Sequence, residues 1–305
     1  MEVLARAKVN LALGVVGRRS DGYHDLVSVF ARLDLADRLA VEPASDGDGL
    51  LVTGGSVDYR PAADDLVLRG ISLLRETHAP KAPGLVVRIE KHIPLAAGLG
   101  GGSADGAASL DLAARAWGIE LTGDERLALA ARLGSDVPFL AAHVDAALIT
   151  GRGEHVAPLP GPLDPVGVLL VTAGAGLSTR DVFAAWTPGS GIAAADQARN
   201  LAVQLAAGCG ALGLIAAAAE LRDANDLWPA STRLRPDLVG LRDTLEARLG
   251  RPVLLSGSGP TLLALYPSRA AAQTAATAFD ADPVPGLAAA AIRVATFART
   301  TIREA

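Results

Sequence analysis

A glycine-rich segment constrains this chain more than any other part of its sequence. Residues 94–105 read Pro-Leu-Ala-Ala-Gly-Leu-Gly-Gly-Gly-Ser-Ala-Asp, with four glycines among positions 98–102. The apolar run 85–89 before it predicts a strand, and the alanine-rich stretch 103–117 after it predicts a helix. Glycine adopts positive φ without strain, so successive backbone N–H groups can converge on an anion. Because the N-terminus of the following helix adds the positive end of its dipole, the segment is predicted to bind phosphate.

The segment differs from two familiar nucleotide-binding glycine motifs. It lacks the Gly-Lys-Ser/Thr ending of a Walker A loop, and Ser103 stands where the dinucleotide-binding pattern G-x-G-x-x-G requires its last glycine. Residues 208–213 do match G-x-G-x-x-G, but helical sequence precedes them where that motif needs a strand. We interpret residues 208–213 as a bend between alanine-rich helices, and a Rossmann-type oxidoreductase is retained only as an alternative.

The order of predicted elements indicates a mixed α and β protein. Residues 158–165 contain four prolines, which cannot continue a helix or a central strand, so we predict a connector there and domains of residues 1–160 and 161–305. The predicted strands are 8–16, 26–35, 85–89, 166–171, 253–255, 262–266 and 291–297. The predicted helices are 64–75, 103–117, 181–185, 201–221, 236–249 and 270–279, with one more that Thr122 and Glu125 open as a capping box and Gly134 ends.

A lysine and an asparagine near the start of the chain share one face of a predicted strand. Lys8 and Asn10 are two positions apart, which is the period at which side chains alternate across a strand. Small apolar residues alternate with them, so Lys8 is predicted to point inward, the alternative being an ordinary solvated lysine. The chain has only three lysines, at positions 8, 81 and 91, against 25 arginines, which makes an inward lysine a candidate for function.

Two further segments combine polar residues with apolar or glycine-rich surroundings. Asp136 precedes Val137 and Pro138, where its carboxylate either serves chemistry or caps a helix. Residues 255–261, Leu-Ser-Gly-Ser-Gly-Pro-Thr, lie between two short predicted strands and fit either a tight loop or an anion-binding one. None of the five histidines has a metal-ligating partner three or four residues further on, so the sequence predicts no metal site.

Composition and charge exclude several other classes. The net charge is −5, and no basic run is present that would bind a nucleic acid backbone. The uncharged stretch 201–219 nearly spans a bilayer in length, but its glycines and its lack of basic or aromatic flanks predict buried helices. The single Cys209 permits no intrachain disulfide. We therefore expect a cytoplasmic protein that contacts neither nucleic acid nor membrane.

Five motifs together resemble the GHMP kinases, a superfamily of small-molecule kinases. The motifs are Lys8-Val9-Asn10-Leu11, Gly22-Tyr23-His24, the glycine segment 94–105, Ser135-Asp136-Val137-Pro138 and the segment 255–261. They follow the order of the family over about residues 5–270, and the resemblance is closest to the 4-diphosphocytidyl-2-C-methyl-D-erythritol kinases. It implies a two-domain α+β fold, the N-terminal domain like ribosomal protein S5 domain 2 and the C-terminal domain ferredoxin-like.

The resemblance also implies an activity. Such an enzyme transfers a phosphoryl group from ATP, with Mg²⁺, to the 2-hydroxyl of 4-diphosphocytidyl-2-C-methyl-D-erythritol, a step of the non-mevalonate route to isoprenoid precursors. The implied partner is a small molecule that carries a cytidine diphosphate group, and we expect a monomer or a weak homodimer. Two alternatives stay open: another GHMP kinase of the homoserine or mevalonate type, or a non-catalytic sensor that has this fold.

The same resemblance assigns roles to individual residues. Asp136 would accept the proton of the 2-hydroxyl while Lys8 orients that hydroxyl. Tyr23 and Phe183 would enclose the cytosine base, and His24 would hydrogen bond with it. The residues implied to bind the ATP phosphates are Pro94, Leu95, Ala96, Ala97, Gly98, Leu99, Gly100, Gly101, Gly102, Ser103 and Ala104. The other implied substrate contacts are Asn10, Gly257, Ser258 and Gly259.

Overall fold

Two long strands form most of the first 44 residues. A computed structural model describes residues 1–54, 64–160, 166–189, 191–288 and 291–298 of the chain. Strand β1 spans Glu2–Arg18 and β2 spans His24–Ala44, and Gly22 has a φ of +87° in the turn between them. The sequence predicts both strands with shorter bounds, because charged residues such as Asp37 interrupt the apolar pattern although they are buried.

Eight further strands and ten helices follow in the described part of the chain. The strands are β3 (Gly49–Gly54), β4 (Gly84–Lys91), β5 (Ala146–Gly151), β6 (His155–Pro158), β7 (Gly167–Thr172), β8 (Leu254–Leu255), β9 (Thr261–Tyr266) and β10 (Ile292–Thr296). The helices are α1 (Leu66–His78), α2 (Gly101–Trp117), α3 (Gly123–Leu133), α4 (Val137–Ala141), α5 (Thr179–Ala185), α6 (Gly191–Ala206), α7 (Gly210–Leu221), α8 (Trp228–Leu234), α9 (Asp237–Leu249) and α10 (Arg269–Ala281). The mixed α and β class is confirmed, whereas β3, β5, β6, α4 and α8 lie outside the predicted elements.

The chain forms two compact units that are each built from separate stretches. The first unit consists of Met1–Ala7, Leu35–Leu95 and Gly100–His143. The second consists of Lys8–Asp34, Ala96–Leu99 and the residues from Val144 onward. The domain boundary at residue 160 stays a prediction, because residues 161–165 of the proline-rich connector lie outside the described residues.

In the first unit, strand β4 pairs antiparallel with residues 38–44 of β2 and parallel with β3. Helices α1 and α2 approach closely because glycine lies at their contact: a Cβ on Gly70 would lie 2.3 Å from the Ser109 hydroxyl oxygen. The predicted capping box of α3 is confirmed, since the Thr122 hydroxyl accepts from the Glu125 N–H and the Glu125 carboxylate accepts from the Thr122 N–H. Helix α3 ends at Leu133, before Gly134, as predicted.

In the second unit, four strands form an antiparallel sheet in the order β10-β7-β9-β8. Its core contains Leu169, Leu262 and Phe279. Residues 26–31 of β2 pair antiparallel with β5, and β5 pairs in turn with β6. Gly208, with a φ of +79°, lies between α6 and α7, so the predicted bend is confirmed there, whereas residues 210–213 belong to α7. Among the helices that the structure describes, none combines the length and the apolar character that a membrane span requires.

Candidate active site

Strand β1 directs Lys8 and Asn10 into the interior of the second unit. The two side chains are 3% and 2% exposed, so the prediction that Lys8 points inward is confirmed. The Lys8 ammonium donates to Asn10 Oδ1 at 2.7 Å and lies 4.3 Å from the centroid of the Phe30 ring. The Asn10 amide donates in turn to Ser28 Oγ at 3.0 Å. The Lys8 side chain is therefore fixed in a buried position beside an amide and an aromatic ring.

The first part of the glycine segment packs within the second unit. A Cβ on Gly98 would lie 2.2 Å from the Ser256 carbonyl oxygen, so only glycine fits there, and its φ is +75°. The Ser256 hydroxyl donates to the Gly98 carbonyl at 2.9 Å, and the Lys8 N–H donates to the Leu99 carbonyl at 3.0 Å. Ala96 also adopts a positive φ, +49°, at a position that favours glycine. The backbone of residues 96–99 is therefore held in a fixed conformation.

Residues 255–261 form a tight loop whose backbone is bound by buried side chains. The Asn225 amide donates to the Leu255 and Gly257 carbonyls at 3.0 and 2.9 Å, and the Ser231 hydroxyl donates to the Ser258 carbonyl at 3.1 Å. A Cβ on Gly257 would lie 3.3 Å from Asn10 Oδ1. The loop thus lies beside the Lys8–Asn10 pair, and the anion contact implied for Gly257, Ser258 and Gly259 stays a prediction.

The second part of the glycine segment begins helix α2 in the first unit. Gly100 is the N-cap residue with a φ of +70°, and within the described residues no side chain caps this helix. Gly102 is exposed, and a Cβ built on it would meet open space. Ser103 lies in the first turn. A helix that starts on glycine without a side-chain cap leaves N–H donors for an anion.

A buried ion cluster fixes the residues just before this helix. The Lys91 ammonium donates to Asp37 Oδ2 at 2.5 Å and to Asp105 Oδ2 at 2.6 Å. Asp37 Oδ1 also accepts from the N–H groups of His92 and Ile93, at 2.5 and 2.8 Å. These bonds connect strand β2, the end of β4 and the second turn of α2. This cluster was not predicted from the sequence, although Lys91 is one of only three lysines.

The charge balance of this cluster shifts the titration of Asp105. Two carboxylates share one ammonium in a site where Asp37 is fully buried and Asp105 is 5% exposed. Burial raises the pKa of Asp105 to about 7; the Lys91 charge opposes that rise and repulsion from Asp37 adds to it. Among the described residues, Asp105 Oδ1 has no hydrogen-bond partner.

Asp136 lies at the start of the short helix α4, whose residues are buried. Pro138 occupies its first turn, and Asp136 makes no side-chain capping hydrogen bond to this described helix. Asp136 thus occupies the N-cap position of α4, and its role in chemistry stays a prediction. Asp136 belongs to the first unit and Lys8 to the second, so their joint role at the hydroxyl stays a prediction.

An aromatic cluster surrounds His24 at the start of β2. The His24 ring lies 5.1 Å from Phe183 at an interplanar angle of 34°, and 5.3 Å from Trp186 at 81°. Burial, and secondarily the charge of Arg18, lowers the pKa of His24 below 6.5. The imidazole is therefore neutral at pH 7, with one nitrogen donating and the other accepting.

Tyr23 lies apart from this contact in the structure. Its side chain is 49% exposed, and the Arg152 guanidinium lies 5.1 Å from its ring centroid. The pairing of Tyr23 with Phe183 around a base stays a prediction. Trp186 is absent from the sequence-based site, although it stands three residues after Phe183, directly after the predicted helix 181–185.

Comparison with known proteins decides the family. Residues 65–150 match the family described as GHMP kinases N terminal domain, and residues 201–284 match GHMP kinases C terminal. The chain belongs to the GHMP kinases. The family and its two-domain α+β fold are thus as predicted from the five motifs.

Among the relatives of this GHMP kinase are enzymes named 4-diphosphocytidyl-2-C-methyl-D-erythritol kinase. The one from Nitrobacter hamburgensis is 42% identical over 284 residues, covering 91% of this chain and 90% of the relative. The one from Rhodopseudomonas palustris (strain ATCC BAA-98 / CGA009) is 40% identical, covering 91% and 92%.

Solved structures of this family agree with the sequence comparison. A crystal structure of 4-(cytidine 5'-diphospho)-2C-methyl-D-erythritol kinase superposes with a TM-score of 0.69 at 34% identity, covering 92% of this chain and 96% of that one. Homoserine kinase from Cytophaga hutchinsonii superposes with a TM-score of 0.66 at 19% identity, covering 96% and 94%. The second likeness shows the shared fold alone.

Proposed function

We propose that this GHMP kinase transfers the γ-phosphoryl group of ATP to the 2-hydroxyl of 4-diphosphocytidyl-2-C-methyl-D-erythritol, giving the 2-phosphate and ADP. The observation that carries the proposal is the 42% identity, over nine tenths of both chains, to an enzyme named for that substrate. The homoserine kinase and the mevalonate kinase compared share the fold at 19% and 12% identity. Their activities are therefore the weaker alternatives. A cytoplasmic enzyme acting as a monomer or weak homodimer is part of the proposal.

Phosphoryl transfer requires positioning and charge neutralisation more than covalent chemistry. In this proposal the residues 94–104 bind the ATP phosphates, because α2 starts on glycine with uncapped N–H groups. Mg²⁺ enters as part of the MgATP substrate. Among the described residues, no group of three or more His, Cys, Asp or Glu side chains could hold a metal ion.

The acceptor hydroxyl is assigned to Asp136 and Lys8. The Asp136 carboxylate, at the N-cap position of α4, would take the proton of the 2-hydroxyl as the γ-phosphoryl group is transferred. The Lys8 ammonium, already held by Asn10, would orient that hydroxyl. Gly257, Ser258 and Gly259 would approach the transferring group.

The cytidine end of the substrate is assigned to the aromatic cluster. The His24 imidazole offers one donor and one acceptor beside the Phe183 ring. Tyr23, half exposed on the neighbouring turn, would complete the enclosure of the base. Base stacking on aromatic side chains contributes about 1–3 kcal/mol per base in single-strand nucleic acid binders.

A coupled assay tests this proposal. Purified protein should consume ATP with the cytidine-linked alcohol and not with homoserine or mevalonate. Asp136→Asn should lose turnover while an ATP analogue still binds. Turnover of homoserine or mevalonate alone would favour another GHMP kinase, ATP consumption with none of the alcohols would favour the sensor, and normal turnover by Asp136→Asn would contradict the base assignment.

A further inference from the structure

Trp186 is fixed beside His24 by two local bonds. It follows helix α5, and its backbone N–H donates to the Phe183 carbonyl at 3.3 Å. Its indole Nε1–H donates to Asp226 Oδ2 at 2.6 Å. The indole therefore has a charged acceptor at short range, the stronger class of hydrogen bond. Rotation of the ring away from His24 would break that bond.

Asp226 is itself anchored to strand β1. The carboxylate belongs to a residue that is 4% exposed, and its backbone N–H donates to the Leu13 carbonyl at 2.8 Å. Space for this side chain depends on Gly191 at the start of α6, where a Cβ would lie 2.9 Å from Asp226 Oδ2. The support of Trp186 thus reaches the strand that also carries Lys8 and Asn10.

The contact between Trp186 and His24 has the geometry of a preferred aromatic pair. An interplanar angle of 81° at 5.3 Å is edge to face, which the ring quadrupoles favour. Phe183 contacts the same imidazole at 5.1 Å. Two rings at different angles restrict rotation of the imidazole about its outer side-chain bond. That restriction matters because a half-turn would put a carbon where a ring nitrogen had been.

We propose that Trp186, held by Asp226, is a positioning residue that fixes the His24 imidazole and so sets the preference of the site for cytosine over uracil. Cytosine presents an amino donor and a ring-nitrogen acceptor where uracil presents an oxygen acceptor and an N–H donor. A fixed, neutral imidazole can match one of these patterns and leave the other unpaired, which is how hydrogen-bonding sites discriminate. This inference rests on the proposed function, since it requires the cytidine group to bind at His24.

The test compares binding of cytidine 5′-diphosphate and uridine 5′-diphosphate to the full chain by calorimetry. Trp186→Leu should weaken cytidine diphosphate binding about tenfold and leave uridine diphosphate binding nearly unchanged, so that their ratio collapses. Trp186→Phe, which keeps an aromatic edge but has no N–H, should lose about half of that effect on a logarithmic scale. Asp226→Asn should retain most of the preference for cytidine diphosphate, because the amide oxygen of asparagine can still accept a hydrogen bond from the indole.

Trp228→Phe is the matched control. Trp228 also lies close to Asp226 in sequence, but its ring carries the Arg242 guanidinium at 3.6 Å from the centroid. This variant should keep the wild-type ratio of the two diphosphates. The KM for ATP should stay within about twofold in every variant, because a local role at His24 changes one substrate only.

The outcomes separate this inference from the proposed function. If the wild-type protein binds neither diphosphate, the cytidine assignment itself fails and the role of Trp186 fails with it. If the wild type prefers cytidine diphosphate and Trp186→Leu keeps the same ratio, only the inference is overturned. An equal rise in the KM for ATP would mean general damage and would also overturn it. If Trp186→Leu does not fold, the comparison of Trp186→Phe with Asp226→Asn decides. A lower preference for cytidine diphosphate in Trp186→Phe than in Asp226→Asn supports the inference, and wild-type preference in both variants overturns it.

Discussion

The Lys91 ammonium lies 2.6 Å from the Asp105 carboxylate, and both residues are 5% exposed. Lys91 is the last residue of strand β4, and Asp105 lies in the second turn of α2. This bond therefore connects the strand before the glycine segment with the helix at its end. The geometry of a helix start that is proposed to receive phosphate thus depends on a buried charge pair.

We expect Lys91→Met to destabilise the protein by about 3–5 kcal/mol, the usual cost of leaving a buried partner charge uncompensated. Asp37 and Asp105 would then face each other without a cation. Urea denaturation measures the change in the free energy of unfolding. Lys81→Met, at an exposed position, is the control and should change it by less than about 0.5 kcal/mol. Equal stability of the two variants would contradict a structural role for the cluster.

The raised pKa of Asp105 predicts a pH dependence of stability. The folded state binds this proton more tightly than the unfolded state, where the pKa is near 3.8, and holds it up to a pKa of about 7. The contribution is therefore complete below about pH 4 and is lost as the pH rises through 7. Asp105→Asn, which cannot titrate, should remove this fall, so the difference between wild type and variant should vary from pH 4.5 to 8. Parallel curves would show that Asp105 has an ordinary pKa.

Two glycines of the same segment should respond oppositely to alanine. Gly98→Ala places a Cβ 2.2 Å from the Ser256 carbonyl oxygen at a positive φ, so we expect a loss of at least about 2 kcal/mol. Gly102→Ala meets open space inside a helix, so we expect a gain of about 0.5–1 kcal/mol. Thermal unfolding measures both. If Gly102→Ala weakens ATP binding in spite of its higher stability, the cause is contact with the ligand.

Replacement of Lys8 should affect turnover more than folding. We expect Lys8→Met to lower kcat about 10²–10³-fold, the range found when one preorganised donor is removed from a reaction centre. Lys8→Arg should also lose activity, because a planar guanidinium cannot replace a compact ammonium between Asn10 and the Phe30 ring. Steady-state kinetics with circular dichroism as a folding control measures this. Activity of Lys8→Arg within twofold of the wild type would show that the site requires only a charge.

Local rules predicted the parts of the fold that depend on neighbouring residues. The strand before the glycine segment, the helix after it, the Thr122 capping box and the bend at Gly208 are each specified within a few positions of the chain. Strands β3, β5 and β6 were not predicted, because short strands are specified mainly by their pairing partners. The roles of the site residues were inferred from the family resemblance. The alternation of hydrophobic residues predicts strands and helices, but it does not predict the chemical role of a side chain.

Long-range contacts explain what the sequence could not predict. Trp186 and Asp226 are 40 positions apart, and Lys91 and Asp37 are 54 apart. Each pair meets only because the strands and helices between them pack in one register. Polar residues that are buried far apart in sequence give no periodic signal, and a buried Asp37 looks like a solvated one until its partners are known.

Because Lys8 and Lys91 are buried in different units, their chemical modification can measure the local opening of each unit. All three lysines lie in the described part of the chain: Lys91 is buried in the first unit, Lys8 in the second, and Lys81 is exposed. An amine-acylating reagent should modify the Lys81 side chain in the native protein, while Lys91 and Lys8 react when their own unit opens. Mass spectrometry of the two modified peptides would then give a separate opening rate for each unit, with no engineered label.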